Sequence, residues 1–136
     1  MLNPLEIVNK MILNDAFSKW LGIEIIEVKK GYCKLQMKIS QEMTNGFELA
    51  HGGICYSLAD SALAFASNSN GKKALSIETS ISHTKKVKIN DTLIAETNEI
   101  NLNNKTGIYS IDILNQEDEK VAFFKGTVYI SNKEWI

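Results

Sequence analysis

One long helical segment made mostly of small residues separates two groups of strand-like segments in this chain. It begins near Gly53, in "GICYSLADSALAFASNS", and runs to about Ser69, where "NSNG" predicts a stop ending in Gly71. The small residues are Gly53, Ser57, Ala59, Ser61, Ala62, Ala64 and Ala66. An antiparallel sheet with one buried face needs something to cover that face. This helix is the best candidate, and its small side chains would let a curved sheet approach closely.

Strand-like segments lie on both sides of this helix. A strand is expected from Gly22, and "YCKLQMKI" (32–39) alternates apolar and polar residues. After the helix come 74–82, 92–100, 107–114 and 121–130, and their short connecting turns predict an antiparallel meander. The first of these, "ALSIETSIS", predicts one face with Leu75, Ile77 and Ile81 and the other with Ser76, Glu78, Ser80 and Ser82.

The N-terminal residues favour a short amphipathic helix. Asn3 and Pro4 resemble an N-cap and a first helical position, and apolar residues then recur at helical spacing to about Trp20. No linker or repeat interrupts the chain. We therefore predict one α+β domain over residues 1–136, with an antiparallel sheet wrapped around one long helix and a short N-terminal helix.

Composition narrows the possible functions. A formal net charge of -1 leaves no basic excess for general nucleic-acid binding. Cys33, Cys55, His51 and His83 lack zinc-ligand spacing, so no metal site is predicted, and we expect the cysteines to pack as small apolar side chains. No export signal or membrane-length apolar stretch is visible, which predicts a cytoplasmic protein without a membrane partner.

A carboxylate inside the apolar helix is the candidate catalytic group. Asp60 has mainly apolar or weakly polar neighbours one turn away, so desolvation should raise its pKa and make it a better general base. Read alone, Asp60 is better explained as a structural carboxylate bonded to a nearby hydroxyl. The preceding His-Gly-Gly turn begins the helix, where free backbone N–H groups suit a carbonyl oxygen that gains negative charge. Glycine-glycine by itself could also mark only a tight turn.

Distance predicts that these two features act in different subunits. Gly52 and Asp60 are eight residues apart, or roughly 12 Å along a helix axis. Reacting groups must come within about 3 to 3.5 Å. Two such helices packed antiparallel across a two-fold axis would bring Asp60 of one subunit near Gly52 of the other. A homodimer is therefore predicted.

The stretch "NGFELAHGGICYSLADSALAFASNS" resembles the signature of PaaI-like hotdog-fold acyl-CoA thioesterases, the phenylacetate-degradation type. The matching residues are Asn45, His51, Gly52, Gly53 and Asp60, and the likeness extends over roughly residues 14–130. The resemblance implies hydrolysis of an acyl-CoA to a free acid and CoA without a metal. No cofactor is implied, because coenzyme A is part of the substrate. Assembly as a homodimer, paired further into a dimer of dimers, is expected.

The resemblance also implies a role for individual residues. The Gly52 N–H would polarise the thioester carbonyl, Asn45 would orient water or the thioester, and Asp60 of the partner chain would act as base or nucleophile. Ser76 matches a hydroxyl that helps to hold the water. His51 is expected to stabilise the turn, with its ring bonded to backbone near Asn45, and it is grouped with Gly53 as substrate-binding.

One segment departs from the family. Where relatives usually carry an aromatic-Leu-Arg-Pro segment followed by Gly-Asp, this chain reads "SHTKKVKIND", which keeps only the aspartate, Asp91. Lys85 and Lys86 would then be the residues that face the phosphates of CoA, although a solvated turn is equally consistent with them.

Two other functions are alternatives to hydrolysis. A dehydratase or hydratase of the same fold commonly uses a proline-rich loop, which this chain lacks, since Pro4 is its only proline. The combination of Asn45, Gly52 and Asp60 argues against a non-catalytic acyl-CoA-binding protein. The acyl group stays open between aryl-acetyl and medium-chain types, since one methylene or ring contact changes selectivity by only about 1–3 kcal/mol.

Overall fold

The computed structural model describes residues 1–136 and contains one six-stranded antiparallel sheet wrapped around a long helix. The helices are α1 (Pro4–Leu13), α2 (Ala16–Trp20) and α3 (Gly52–Asn68), and a 3-10 turn covers Gln41–Met43. The strands are β1 (Glu24–Lys29), β2 (Tyr32–Lys38), β3 (Lys72–His83), β4 (Thr92–Leu102), β5 (Thr106–Leu114) and β6 (Lys120–Glu134). The predicted architecture of a sheet wrapped around a single central helix is confirmed.

The sheet comes unusually close to α3 at one glycine. A Cβ atom at Gly126 would lie 2.5 Å from Leu63 Cδ2, so only a residue without a side chain fits at this point of β6 without movement. Ala59, Ala62 and Ala66 are completely buried in the same interface. The small residues of α3 therefore permit the sheet to curve tightly around the helix.

The N-terminal region forms two helices where one was predicted. α1 ends before Asn14, and Asp15 then caps α2 by accepting the backbone N–H of Ser18 at 2.9 Å. The prediction of one continuous helix to Trp20 was wrong because an aspartate at this position competes with the helical backbone as an N-cap. The Ser18 hydroxyl also bonds the Ser61 hydroxyl at 2.8 Å, which fixes this junction against α3.

The predicted four-strand meander is only partly correct. The strand order is β1-β2-β4-β5-β6-β3, so β4, β5 and β6 form a meander while β3 pairs with β6. The connection after β3 leaves the sheet: Val87 accepts a bond from Ala50, and the Asn90 N–H donates to Ile39 at 2.9 Å. The chain thereby crosses to the β2 side before β4 begins. One side of β3 is left as a free sheet edge.

The predicted faces of β3 are also wrong. Leu75 and Ile77 are 77% and 62% exposed, and the pairing with β6 shifts register between Ser76 and Glu78. This bulge inserts one residue, which reverses the alternation beyond it. Ser76 pairs with the buried Val128, so Ser76 lies on the helix-facing side of the sheet and not on an outer polar face.

Candidate functional site

A cleft of about 360 Å³ opens at the N-terminal end of α3. Four of the predicted site residues line it together: Asn45, Gly52, Lys85 and Lys86. The other lining residues are Leu49, Ala50, Cys55, His83, Thr84 and Val87. The cleft is therefore built by the loop before α3 and by the connection between β3 and β4.

The start of α3 presents one free donor to this cleft. His51 is the N-cap, and its Nδ1 accepts the Gly53 N–H at 2.9 Å. The Gly52 N–H has no hydrogen-bond partner within the chain. The expectation that the His51 ring bonds backbone near Asn45 was wrong, because the ring turns forward to cap the helix. Its backbone N–H instead donates to Met43 at 2.8 Å.

Asn45 directs an amide group toward the same cleft. Its Oδ1 accepts the backbone N–H groups of Phe47 and Leu49 at 2.9 and 3.3 Å. These two donors fix the orientation of the side-chain amide. Its Nδ2 takes no partner in the chain, so Asn45 can offer a donor to a bound molecule while its oxygen holds the loop.

His83 is the cleft residue that sequence reasoning missed. A Cβ built on Gly52 would lie 3.3 Å from His83 Nε2, so the imidazole is next to the free Gly52 N–H. The sequence offered only one signal, a histidine at the end of a strand. His83 can be assigned to the cleft only once the structure shows that β3 ends beside the start of α3.

The two lysines of the cleft differ in their partners. Lys85 Nζ lies 3.1 Å from Glu119 Oε2, whereas Lys86 makes no ion pair in the chain. Cys55 is buried in the wall, and burial raises the pKa of its thiol to about 11, so it is protonated near neutral pH. Cys33 and Cys55 are both free and buried, consistent with packing roles.

Asp60 lies outside this cleft, two turns along α3. It is partly buried, and no side chain or backbone group of the chain hydrogen-bonds its carboxylate. Desolvation raises the pKa of Asp60, and the nearby charge of Asp15 raises it further. The alternative role of Asp60, a structural carboxylate that accepts a hydrogen bond from a hydroxyl, is therefore not observed within the protomer.

Ser76 lies at the same level of the molecule as Asp60. β3 runs antiparallel alongside α3: Asn68 bonds the backbone of Ala74 near one end, and the Tyr56 hydroxyl bonds the Thr79 hydroxyl at 2.6 Å nearer the other. Asp60 and Ser76 fall between these two connections. The predicted site residues thus form two groups, one at the cleft and one farther along α3 and β3, made of Asp60 and Ser76.

Neither a metal cluster nor a membrane-crossing helix occurs in the structure. No three His, Cys, Asp or Glu side chains are grouped so that they could hold a metal ion. No helix is long and apolar enough to cross a membrane.

Known proteins share both the sequence and the fold. The family model described as the thioesterase superfamily matches residues 47–122. A putative esterase of Archaeoglobus fulgidus is 43% identical over 92% of this chain and 81% of its own length. The acyl-coenzyme A thioesterase PaaI of Escherichia coli is 39% identical over 85% of this chain and 83% of its own length.

Two solved structures extend the comparison. The E. coli PaaI protein from the phenylacetic acid degradation operon superimposes with a TM-score of 0.94 at 34% identity, covering 96% of this chain and 95% of that one. A thioesterase protein of Streptococcus pneumoniae with coenzyme A has a TM-score of 0.87 at 25% identity, covering 93% and 98%. The chain therefore belongs to the thioesterase superfamily, as a PaaI-like enzyme of the hotdog fold that hydrolyses thioester bonds.

Proposed function

We propose that this protein hydrolyses an aryl-acetyl or medium-chain acyl-CoA to the free acid and CoA, in active sites shared between two subunits. The proposal rests on one observation: within one protomer, the free N–H that can polarise a carbonyl lies apart from the carboxylate that can accept a proton. The cleft has a free Gly52 N–H and no carboxylate in its lining, whereas Asp60 is partly buried and unpartnered two turns away. Similarity to an enzyme named acyl-coenzyme A thioesterase supports the choice of substrate.

The reaction we propose uses only groups of the chain. The Gly52 N–H donates to the thioester carbonyl oxygen, which becomes negative as water attacks the carbon. Asp60 of the other subunit takes the proton of that water, and Asn45 and Ser76 orient it. The C–S bond then breaks, and CoA leaves as a thiolate that acquires a proton. No metal or other cofactor has a part in this scheme.

Direct attack by Asp60 is the second route. It would replace the thioester with a mixed anhydride between the substrate acyl group and Asp60, which water then hydrolyses. A single turnover in ¹⁸O-labelled water detects the nucleophilic route when water attacks the Asp60 carbonyl carbon of the anhydride. Label enters only the released acid when Asp60 acts as a base, whereas attack of water on the Asp60 carbonyl carbon puts the label in Asp60 and an unlabelled oxygen of Asp60 in the acid.

The open edge of β3 is the surface we assign to the homodimer. A long edge strand with exposed apolar side chains is a template for pairing with another chain. Leu75 and Ile77 supply such side chains on either side of Ser76, and Asp60 lies at the same level on α3. Pairing two copies along this edge is the arrangement we propose to cover Asp60 and Ser76. Further pairing into a dimer of dimers stays a prediction. Sedimentation velocity tests it by measuring the oligomeric state.

A second cleft, which is apolar, supports an aryl-acetyl or medium-chain acyl group as the substrate. It has a volume of about 440 Å³ and begins one helical turn beyond Asp60, at Ala64. Met11, Leu75 and Trp135 form much of its wall. A thioester whose carbonyl meets Asp60 of one subunit would find apolar surface on that same subunit for its ring or alkyl chain.

Complementation between two inactive variants tests the shared site. Asp60→Asn removes the proton acceptor, and Gly52→Val places methyl groups where the carbonyl must approach, near His83. A heterodimer of the two variants has one doubly damaged site and one intact site. We expect purified, differently tagged heterodimers to show about half the kcat of wild type per dimer, since one of two sites works.

Circular dichroism of each variant homodimer provides the folding control for that experiment. Folded heterodimers without activity would contradict a shared site. Folded wild-type protein that binds acyl-CoA and releases no thiol from any thioester would instead favour a binding protein.

Asp15 provides a pH test of the proposed base. Only the ionised Asp60 accepts a proton, so kcat/KM should fall as the pH drops through the raised pKa of this carboxyl. Asp15→Asn removes a neighbouring negative charge but keeps an oxygen that can cap α2. We expect the acid limb of the pH–rate profile to move to lower pH, with kcat at its plateau little changed. An unmoved limb would contradict Asp60 as the titrating group.

A further inference from the structure

His83 lines the cleft beside Gly52 and has no part in the reaction described above. It is the last residue of β3, and its backbone position is fixed by the residue that follows. Thr84 donates its backbone N–H to Val121 at 2.9 Å and its hydroxyl to the carbonyl of Lys120 at 2.8 Å. The imidazole is therefore presented to the cleft from an anchored end of the sheet.

The two histidines of the chain differ in what their rings bind. His51 Nδ1 accepts the Gly53 N–H at 2.9 Å, so that ring caps α3. Neither ring nitrogen of His83 hydrogen-bonds another group of the chain. A neutral imidazole offers one N–H donor and an imidazolium offers two. His83 can therefore donate a hydrogen bond to a bound molecule in either charge state.

The His83 ring borders the space that glycine leaves open at position 52. Nε2 and Cε1 lie 3.3 and 3.6 Å from the position of a Cβ on Gly52. The amide nitrogen and Cβ of one residue are about 2.5 Å apart, so His83 Nε2 lies within about 5.8 Å of the Gly52 nitrogen. Two N–H donors can reach one oxygen when their nitrogens are no more than about 5.8 Å apart, twice the usual N···O distance. One carbonyl oxygen can thus accept from both groups.

The lysines of the cleft are less well placed for this contact. Lys85 Nζ is 3.1 Å from Glu119 Oε2, and neither Lys85 nor Lys86 has an atom within 4 Å of the Cβ position on Gly52. A lysine side chain also loses more rotamer freedom on binding than a ring with two torsions. His83 is the side chain of the cleft wall that faces the free Gly52 N–H most closely.

We propose that His83 Nε2–H is a second hydrogen-bond donor to the thioester carbonyl oxygen, beside the Gly52 N–H. This oxygen gains negative charge as water attacks the carbonyl carbon, and a second donor aimed at it stabilises the tetrahedral intermediate. The proton stays on His83 throughout, so the residue acts by hydrogen bonding alone. This inference rests on the proposed function, which places the thioester carbonyl at Gly52.

Two substitutions at position 83 test this role through kcat. His83→Phe keeps a ring and removes both nitrogens, whereas His83→Gln puts an amide N–H close to the position of Nε2. Loss of one such donor from an enclosed site lowers kcat by about 10²- to 10³-fold, and for the exposed His83 we expect a loss of about 10- to 100-fold in His83→Phe. KM should change little. His83→Gln should recover most of the lost kcat.

Ser82→Ala is the matched control for these variants. Ser82 is exposed and precedes His83, so its side chain lies on the opposite face of the same strand end. We expect kcat and KM of Ser82→Ala to equal those of wild type. Circular dichroism verifies that all three variants are folded.

An unreactive analogue separates this role from a structural one. In a phenylacetyl ketone of CoA, a methylene group stands between the ¹³C-labelled carbonyl and the sulfur, so no thioester bond is present. Each hydrogen bond to the carbonyl oxygen lowers its infrared stretching frequency. We expect a lower frequency in wild type and His83→Gln than in His83→Phe. Equal frequencies in all three would overturn the proposal.

The leaving group distinguishes a bond to the oxygen from protonation of the sulfur. Thiophenol leaves as a stable thiolate that needs no proton. His83→Phe should therefore lower kcat/KM for a thiophenyl thioester by the same factor as for the CoA thioester. A loss confined to the CoA thioester would overturn the proposal, because His83 would then act on the sulfur.

The two proposals fail in distinguishable ways. A wild-type kcat in folded His83→Phe would overturn the role of His83 and leave the thioesterase proposal standing. If wild type releases no thiol from any thioester, the proposed function itself fails.

Discussion

Replacing Asp60 with asparagine is expected to lower kcat by about 10²- to 10⁴-fold, the usual contribution of a positioned general base. The amide has nearly the same shape as the carboxylate, so binding of acyl-CoA should be retained, as measured by titration calorimetry. Thiol release with a chromogenic reagent gives the rate. An activity near that of wild type would show that another group accepts the proton.

The same substitution should not destabilise the protein. Burial raises the pKa of Asp60 above its value in the unfolded chain. The contribution of such a group to stability is therefore greatest below its unfolded pKa and declines as pH rises through the folded pKa. At neutral pH the uncharged amide should give a Tm equal to or higher than that of wild type. A lower Tm would indicate a structural carboxylate, because it would mean that the charge has a stabilising partner.

Placing lysines at Leu75 and Ile77 is expected to produce folded, inactive monomers. Both side chains are mostly exposed in the protomer, so the charge should not disrupt its core. Two like charges on an edge strand oppose pairing with a second copy of that strand. If each site needs both subunits, kcat/KM should fall at least about 100-fold, since the base is lost from every cleft. Sedimentation velocity and circular dichroism verify the monomer and its fold.

A lysine at Ile100 is the matched control for that variant. Ile100 is 56% exposed on β4, close to the 62% of Ile77, but it lies away from the β3 edge. We expect Ile100→Lys to remain dimeric and active. A Leu75→Lys/Ile77→Lys double variant that is monomeric yet fully active would contradict the shared site.

The local parts of the fold and site could be predicted from residue pattern. Alternation identified the strands, and the run of small residues identified α3 to within one residue at each end. The resemblance to the family implied that Asn45 and Gly52 belong to one site, and both line the same cleft, since a short loop joins Asn45 to the helix start. Such features are determined by contacts between residues near each other in the chain.

The placement of β3 could not be predicted in this way. Its pairing with β6 depends on the path of residues 84–91, and the bulge at Ile77 depends on the register with a strand about 50 residues away. A propensity pattern carries no information on either. The predicted face of Ser76 was therefore wrong, and the exposure of Leu75 was not predicted.

The sequence by itself determined the extent of α3, the alternation of β2 and β5, and the mainly apolar or weakly polar neighbours of Asp60 one helical turn away, because these properties arise within a few residues. Only the tertiary structure decided that His83 approaches Gly52, that Asp15 lies near Asp60, and that one side of β3 is a free sheet edge. Those relations join segments far apart in sequence, and their geometry exists only once the sheet has closed around α3.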